Sequence, residues 1–263
     1  METVISKDGT TIAFDRLGEG PSIILVVGAF NDRSTGAPLA AALSESFTVF
    51  NYDRRGRGTS GDTAPYATQR EIEDLEALIA EAGGSSSVFG YSSGAVLSLK
   101  AAASGLAMTR LALYEPPFLV DESRPRPFPQ VAQEAAAQLT ELISSGRRGE
   151  AVELYQTQVV GIPAEVVAQL RKAPFRPALE DMAHTLVYDA RILGDMAVLA
   201  EQLGSITLPT LVISGGDSPA FLRHAAQALA DALPDAQHRT LEGQTHDIVP
   251  AVVAPVLEQF FAP

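Results

Sequence analysis

Ile23-Ile24-Leu25-Val26-Val27 is apolar at five consecutive positions. A strand without a polar face must be covered on both sides, as is a central strand of a parallel sheet with helices packed above and below it. Gly28 ends the run. The rhythm then repeats: Thr48 to Tyr52 is a second buried strand running into the polar loop Asp53 to Thr63, and Ser87-Val88-Phe89, Leu111 to Tyr114, Leu208 to Ser214 and His238 to Leu241 read as further strands. Between them lie helical stretches at Pro38 to Leu43, Gln69 to Ala82, Ser93 to Ala103, Phe221 to Ala232 and Val252 to Phe261. In the second of these, Ile72, Leu75, Leu78 and Ile79 recur at helical spacing with carboxylates between them, and Gly83-Gly84 stops the helix. Strands that alternate with helices in this way form a parallel sheet. Ahead of them, Val4 to Phe14 alternates around Asp8-Gly9, a dipeptide suited to the positive φ angles of a tight hairpin turn.

One stretch breaks the alternation. From Glu115 to about Leu199 the chain carries Pro116, Pro117, Pro125, Pro127 and Pro129 and then amphipathic helical segments with no strand among them. It reads as a helical insertion. With 263 residues, 46% of them apolar, the chain can bury one sizeable core. The expected organisation is an α/β core formed by residues 1–115 and 200–263, with residues 116–199 as a helical cap.

The formal net charge of −13 repels phosphate backbones and anionic membrane surfaces, so nucleic acid and membrane are not expected partners. Without cysteine there is no disulfide framework, no thiolate metal site and no thiol redox chemistry. Met1 to Thr10 carries Glu2, Lys7 and a turn dipeptide where a secretory signal needs an apolar stretch, and no apolar run reaches the roughly 18 residues of a membrane span. The expectation is a cytoplasmic monomer or homodimer that acts on a small-molecule substrate, with no cofactor and no metal.

The chemistry concentrates at Gly90-Tyr91-Ser92-Ser93-Gly94, between an expected strand and an expected helix. A sharp turn there lifts the Ser92 hydroxyl above the sheet edge, and it needs small residues on either side because the neighbouring backbone is crowded. A serine hydroxyl needs a base, and the base needs an orienting acid. Of the four histidines, His246 lies just beyond the last expected strand, at the carboxyl edge of the sheet. His224 and His238 read as surface residues and His184 as cap packing. For the acid, Asp217 follows the strand Leu211 to Ser214 through Gly215-Gly216 and completes the order Ser, Asp, His. Glu115 competes with it, because it too follows a strand, Leu111 to Tyr114. Backbone N–H groups that meet charge on the substrate oxygen are expected from Ser93 and, where the chain leaves the central strand, from Ala29.

These features together resemble the α/β-hydrolase superfamily over nearly the whole chain. Besides the serine turn, Asp53-Arg54-Arg55-Gly56-Arg57-Gly58-Thr59-Ser60 is similar to the family's loop after the fourth strand, and Leu208 to Gly215 is similar to its acid-bearing strand. The resemblance implies the α/β-hydrolase fold, a mostly parallel twisted sheet with helices on both faces and an inserted helical cap. It also implies Ser92 as nucleophile, His246 as base and Asp217 as acid. In some members, certain haloalkane dehalogenases among them, the acid follows the sixth strand, where Glu115 stands. Many members carry His-Gly at the oxyanion strand end, where this chain has Val27-Gly28. A serine nucleophile and the absence of tryptophan speak against dehalogenation. The leading functional expectation is hydrolysis of a small or medium carboxylic ester through an acyl-enzyme. Alternatives are thioester, lactone or carbon–carbon hydrolysis, cofactor-free perhydrolysis, or slow turnover in a receptor-like ligand binder. Tyr155, Val159, Val160, Ile162, Leu186, Tyr188 and Ile192 are candidates for the cap's pocket lining.

Overall fold

The computed structural model describes residues 1–118 and 127–262; Pro125 and the rest of the 119–126 stretch of the expected cap lie outside the described residues. The Asp8-Gly9 turn joins β1 (Glu2–Ile5) to β2 (Thr11–Leu17) as an antiparallel hairpin with Ile5 opposite Thr11. Gly9 takes φ 85°, and the Thr10 N–H donates to Asp8 Oδ1 at 3.0 Å. β2 pairs antiparallel with β4 (Thr48–Tyr52). The remaining pairings are parallel and bring in β3 (Ser22–Val26), β5 (Ser86–Tyr91), β6 (Met108–Tyr114), β7 (Thr210–Gly215) and β8 (Ala236–Leu241). The eight strands run in the order β1-β2-β4-β3-β5-β6-β7-β8.

The apolar run at β3 is covered on both faces, as its sequence demands. Ile24 and Val26 enter a core with Leu75 and Leu78 of α2 (Thr68–Glu81) and Val96 and Leu99 of α3 (Ser93–Ala103). Ile23 and Leu25 enter a second core with Leu39 and Leu43 of α1 (Arg33–Leu43) and, from the last helix, Val253 and Leu257. Each fully buried aliphatic side chain contributes roughly 1.5–3 kcal/mol, so the strand is fixed in depth and register. α1 begins five residues before the expected Pro38. Asp32 caps it by accepting from the Ser34 N–H at 2.8 Å, and Pro38 is carried inside the helix.

Between β6 and β7 the described chain is helical: α4 (Phe128–Ser144), α5 (Arg148–Leu154), a π-helical turn at Tyr155–Val160, α6 (Ala164–Leu170), α7 (Arg176–Asp181), α8 (Leu186–Gly194) and α9 (Met196–Gln202). Leu139, Val152, Leu186 and Ile192 of this insertion belong to the same hydrophobic cluster as Ile24 and Leu99. The cap is therefore seated on the α3 side of the sheet through continuous apolar contact. α10 (Ala220–Ala232) and α11 (Pro250–Phe261) complete the fold. The chain leaves β3 for β4 on one side and returns to β5 on the other. At such a reversal the loops after the two adjacent strands diverge and open a crevice, here between Gly28 and Ser92. Among the described residues, no helix is long and apolar enough to cross a membrane.

Candidate active site

The turn after β5 places Ser92 at φ 55°, ψ −124°, its N–H held by the Tyr114 carbonyl at 3.0 Å. The flanking glycines are required by space. A Cβ on Gly94 would lie 2.3 Å from the Val26 carbonyl oxygen, and one on Gly90 would lie 2.6 Å from Ala95 Cα. Phe30 (φ 62°), Ser92 and Glu115 (φ 44°) are the non-glycine residues with positive φ among those described, and all three stand at this one edge of the sheet. Such backbone costs on the order of 1–3 kcal/mol per residue and persists only where its surroundings over-determine it.

His246 arrives on the loop after β8. Its Nε2 is 3.3 Å from Ser92 Oγ and its Nδ1 is 2.6 Å from Glu115 Oε2. Glu115 is fully buried. Its second oxygen accepts the Gly215 N–H at 2.7 Å, and its own N–H donates to the Ile213 carbonyl at 2.9 Å. The Tyr114 hydroxyl donates to the Thr245 carbonyl at 2.7 Å, fixing the histidine loop, and the Tyr91 ring lies 5.1 Å from the imidazole.

This geometry corrects the first choice of acid. Asp217 does not meet His246: β7 ends in Gly215, whose N–H serves Glu115, while the Gly216 and Asp217 N–H groups are drawn to the carbonyls of Leu241 and Gln244. The Asp217 side chain is left exposed. The end of β7 thus lends the site an amide in place of a carboxylate. The residue brought together with Ser92 and His246 is Glu115, the alternative at the end of β6.

Ser93 and Ala29 both line the cavity above Ser92. The Ser93 N–H belongs to the first turn of α3, where N–H groups have no partner within the helix and the dipole favours negative charge. Among the described residues the Ala29 N–H has no hydrogen-bond partner. Of the other histidines, His224 is exposed and His238 contacts Ser214 Oγ at 2.9 Å across β7. His184 lies 3.7 Å from Asp62, and burial holds its imidazole below the usual value.

The largest feature not anticipated from the sequence is a buried charge network. Arg54, Arg55 and Arg57 are almost wholly buried. Arg54 forms a two-pronged bond to Glu71 (2.7 and 2.8 Å), and Arg55 forms another to Asp74 (2.8 and 2.6 Å). The α2 carboxylates between its apolar positions therefore include two that face inward. From α8 of the insertion, the fully buried Asp189 accepts from Arg54 Nη1 at 2.8 Å, from Ser93 Oγ at 2.8 Å and from Arg57 Nη2. Burial alone would raise the Asp189 pKa, but the Arg54 and Arg57 charges outweigh it and hold the carboxyl below its usual range. The one sequence signal for this network is three arginines within four residues of a buried strand end.

Removing one partner of a buried ion pair leaves the other charge uncompensated, at roughly 3–5 kcal/mol; without Asp189, Arg54 would keep Glu71, but Arg57 would lose the carboxylate it is paired with. Asp189→Ala is accordingly expected to lower the thermal midpoint by about 10 °C. A midpoint unchanged by calorimetry would show that water compensates the Arg57 guanidinium.

The insertion roofs a cavity of about 540 Å³ over Ser92. Tyr155, Val159, Val160 and Ile162 line it, joined by Phe30, Phe128, Leu193 and Phe221. Leu186 and Ile192 do not reach it, being fully buried in the core. Tyr188 stacks on Tyr66 at 3.7 Å and donates to Asp62 at 2.7 Å instead. Gly161, at φ 86°, closes the π turn that presents Tyr155 and Val159; π turns recur at functional sites.

Comparison with known proteins agrees with this architecture. A solved alpha/beta hydrolase from Sphaerobacter thermophilus DSM 20745 is 54% identical, with 99% of this chain and 100% of that one covered and a TM-score of 0.92. The 2-(acetamidomethylene)succinate hydrolase of Mesorhizobium japonicum is 25% identical over 254 residues, 92% of this chain and 88% of the relative. The hydrolase YraK of Bacillus subtilis is 35% identical over 95 residues, 35% of either chain. A model of the alpha/beta hydrolase family matches residues 23–257, and the chain belongs to that family.

Proposed function

We propose that this protein is a serine hydrolase that cleaves small or medium neutral carboxylic esters through an acyl-enzyme. The observation that carries the reading is the hydrogen-bonded line from Ser92 Oγ through the His246 ring to the buried Glu115 carboxylate, at the floor of an apolar cavity. Ser92 Oγ attacks the acyl carbon while His246 Nε2 takes its proton. Glu115 holds the ring in the tautomer with Nδ1 protonated and stabilises the imidazolium that forms. The N–H groups of Ala29 and Ser93 meet the oxyanion. His246 then gives its proton to the departing alcohol, and water, activated by the same imidazole, releases the acid and restores Ser92. The 3.3 Å separation of Ser92 and His246 is within the range of resting sites that tighten when substrate binds.

The lining supports the choice of ester. Asn31, Tyr91, Ser92, Ser93, Tyr155 and His246 are its polar residues among those described, with no Lys, Arg, Asp or Glu beside them. Among the described residues the lining offers no cationic side chain to a substrate carboxylate, whose desolvation is costly. Thioesters, lactones and peracids can use the same constellation, since a fold does not select among acyl substrates.

A panel of p-nitrophenyl esters tests the reading. Butyrate and hexanoate are expected to exceed the mono-anionic hemisuccinate in kcat/KM by about tenfold or more, and a fluorophosphonate should label Ser92, as read by peptide mass spectrometry. Preference for the anionic ester, or labelling elsewhere, overturns the proposal.

A further inference from the structure

The peptide unit that supplies the Ala29 N–H has its other end anchored in the buried charge network. Arg57 Nη1 donates to the Gly28 carbonyl at 2.5 Å and to the Asn31 carbonyl at 2.9 Å, and its Nη2 is bound by Asp189. Arg54 Nη1 reaches the neighbouring Val27 carbonyl at 3.3 Å while also bonded to Asp189. In a planar trans peptide the C=O and the following N–H point in opposite directions. A Gly28 carbonyl pinned downward on Arg57 therefore turns the Ala29 N–H the other way, toward the cavity that Ala29 lines. The next peptide is fixed separately, its Ala29 carbonyl accepting from Asn31 Nδ2 at 2.6 Å, and Phe30 follows it at φ 62°. On the opposite side of the crevice, Asp189 accepts from Ser93 Oγ, and Ser93 is the other proposed oxyanion donor.

We propose that Arg57 is a positioning residue for acyl transfer: braced by Asp189 of the helical insertion, it sets the orientation of the Gly28–Ala29 peptide and so aims one of the two oxyanion donors. This rests on the acyl-transfer reading of Ser92. Val27 precedes Gly28 at this strand end, and the bracing comes from the arginine-rich loop after β4. A loop peptide outside a regular ladder can rotate about the Gly28 ψ and Ala29 φ angles, and only one orientation presents a donor to the substrate oxygen. The arginine removes the others, because flipping the peptide would leave a buried guanidinium facing an N–H.

The test is Arg57→Met in the full chain, assayed on p-nitrophenyl butyrate and on its thionoester, with the thermal midpoint measured to fix a temperature at which the variant is folded. Loss of a single oxyanion donor costs about 10²- to 10³-fold, and a misaimed one is expected to lower kcat on the oxo-ester by about 10- to 100-fold, with KM within about threefold. Sulfur accepts hydrogen bonds weakly, so the thionoester should lose far less and the oxo/thiono ratio should fall by about tenfold. Arg57→Lys, which keeps the charge and can reach one carbonyl, should recover part of the loss, and it carries the same comparison if the methionine variant does not fold. An unchanged kcat in a folded variant overturns the proposal, as does an equal loss on both esters, which marks a general structural role. Failure of the underlying reading is separately visible: the wild-type protein would then hydrolyse neither ester and Ser92 would not be phosphonylated.

Discussion

Glu115→Gln is expected to lower kcat on a neutral ester by about 10⁴-fold, while Asp217→Asn stays within about twofold of wild type. Glutamine preserves the volume of Glu115 and can still accept the Gly215 N–H that the carboxylate takes at 2.7 Å, so the fold has no cause to change. What it loses is the full negative charge 2.6 Å from His246 Nδ1. The amide offers a donor where only acceptors should stand, so the ring is held in the wrong tautomer and the imidazolium formed during attack has no counter-charge. Burial sharpens the effect, since at 0% exposure no water can replace the missing charge. Asp217 is exposed and its amide, not its carboxylate, is engaged with the histidine loop. Stopped-flow and steady-state measurements of both variants decide between the two strand ends, and equal losses, or the larger loss at Asp217, would falsify the assignment.

Ser92→Ala is expected to reduce kcat by about 10⁴- to 10⁶-fold and to abolish fluorophosphonate labelling. Among the described residues the hydroxyl makes no hydrogen bond other than the one to His246, so the thermal midpoint should stay close to wild type. The double variant Ser92→Ala/Glu115→Gln adds a sharper criterion. Residues that act as one unit are strongly non-additive, so the pair should be scarcely worse than Ser92→Ala alone. Losses that multiplied would mean that Glu115 acts independently of the serine.

The sheet was legible because its strands carry unambiguous patterns. β4 and α3 span the residues expected of them, and the run at β3 announced a strand covered on both faces. The choice between Glu115 and Asp217 was not legible for a physical reason. Both follow a strand at the carboxyl edge, and the chain order admits either. What separates them is lateral reach across neighbouring strands and a positive φ at Glu115, which a glutamate does not advertise. The pocket lining was half legible: helical spacing shows which cap residues are apolar, but not which of them the π turn at Tyr155–Val160 swings over Ser92 and which, like Leu186, sink into the core. The arginine network was the hardest to read, because local pattern places Arg54, Arg55 and Arg57 in a polar loop. Their burial depends on Glu71 and Asp74 from α2 and on Asp189, 132 positions beyond Arg57.

The Asp189 side chain also limits how modular this architecture can be. Helical caps invite exchange, because they enter and leave the core at two strand ends and carry much of the pocket wall. Here the core extends two guanidiniums upward to one carboxylate of the cap: Arg54 shares it with Glu71 of α2, whereas the carboxylate that Arg57 meets is Asp189. A cap transplanted from another protein would have to bring an acid to that position, or the recipient's loop would have to surrender Arg57 at the same time. Exchange of the cap in this chain thus requires joint changes in two distant segments, and a chimera designed on pocket shape alone would inherit a buried Arg57 with unanswered charge.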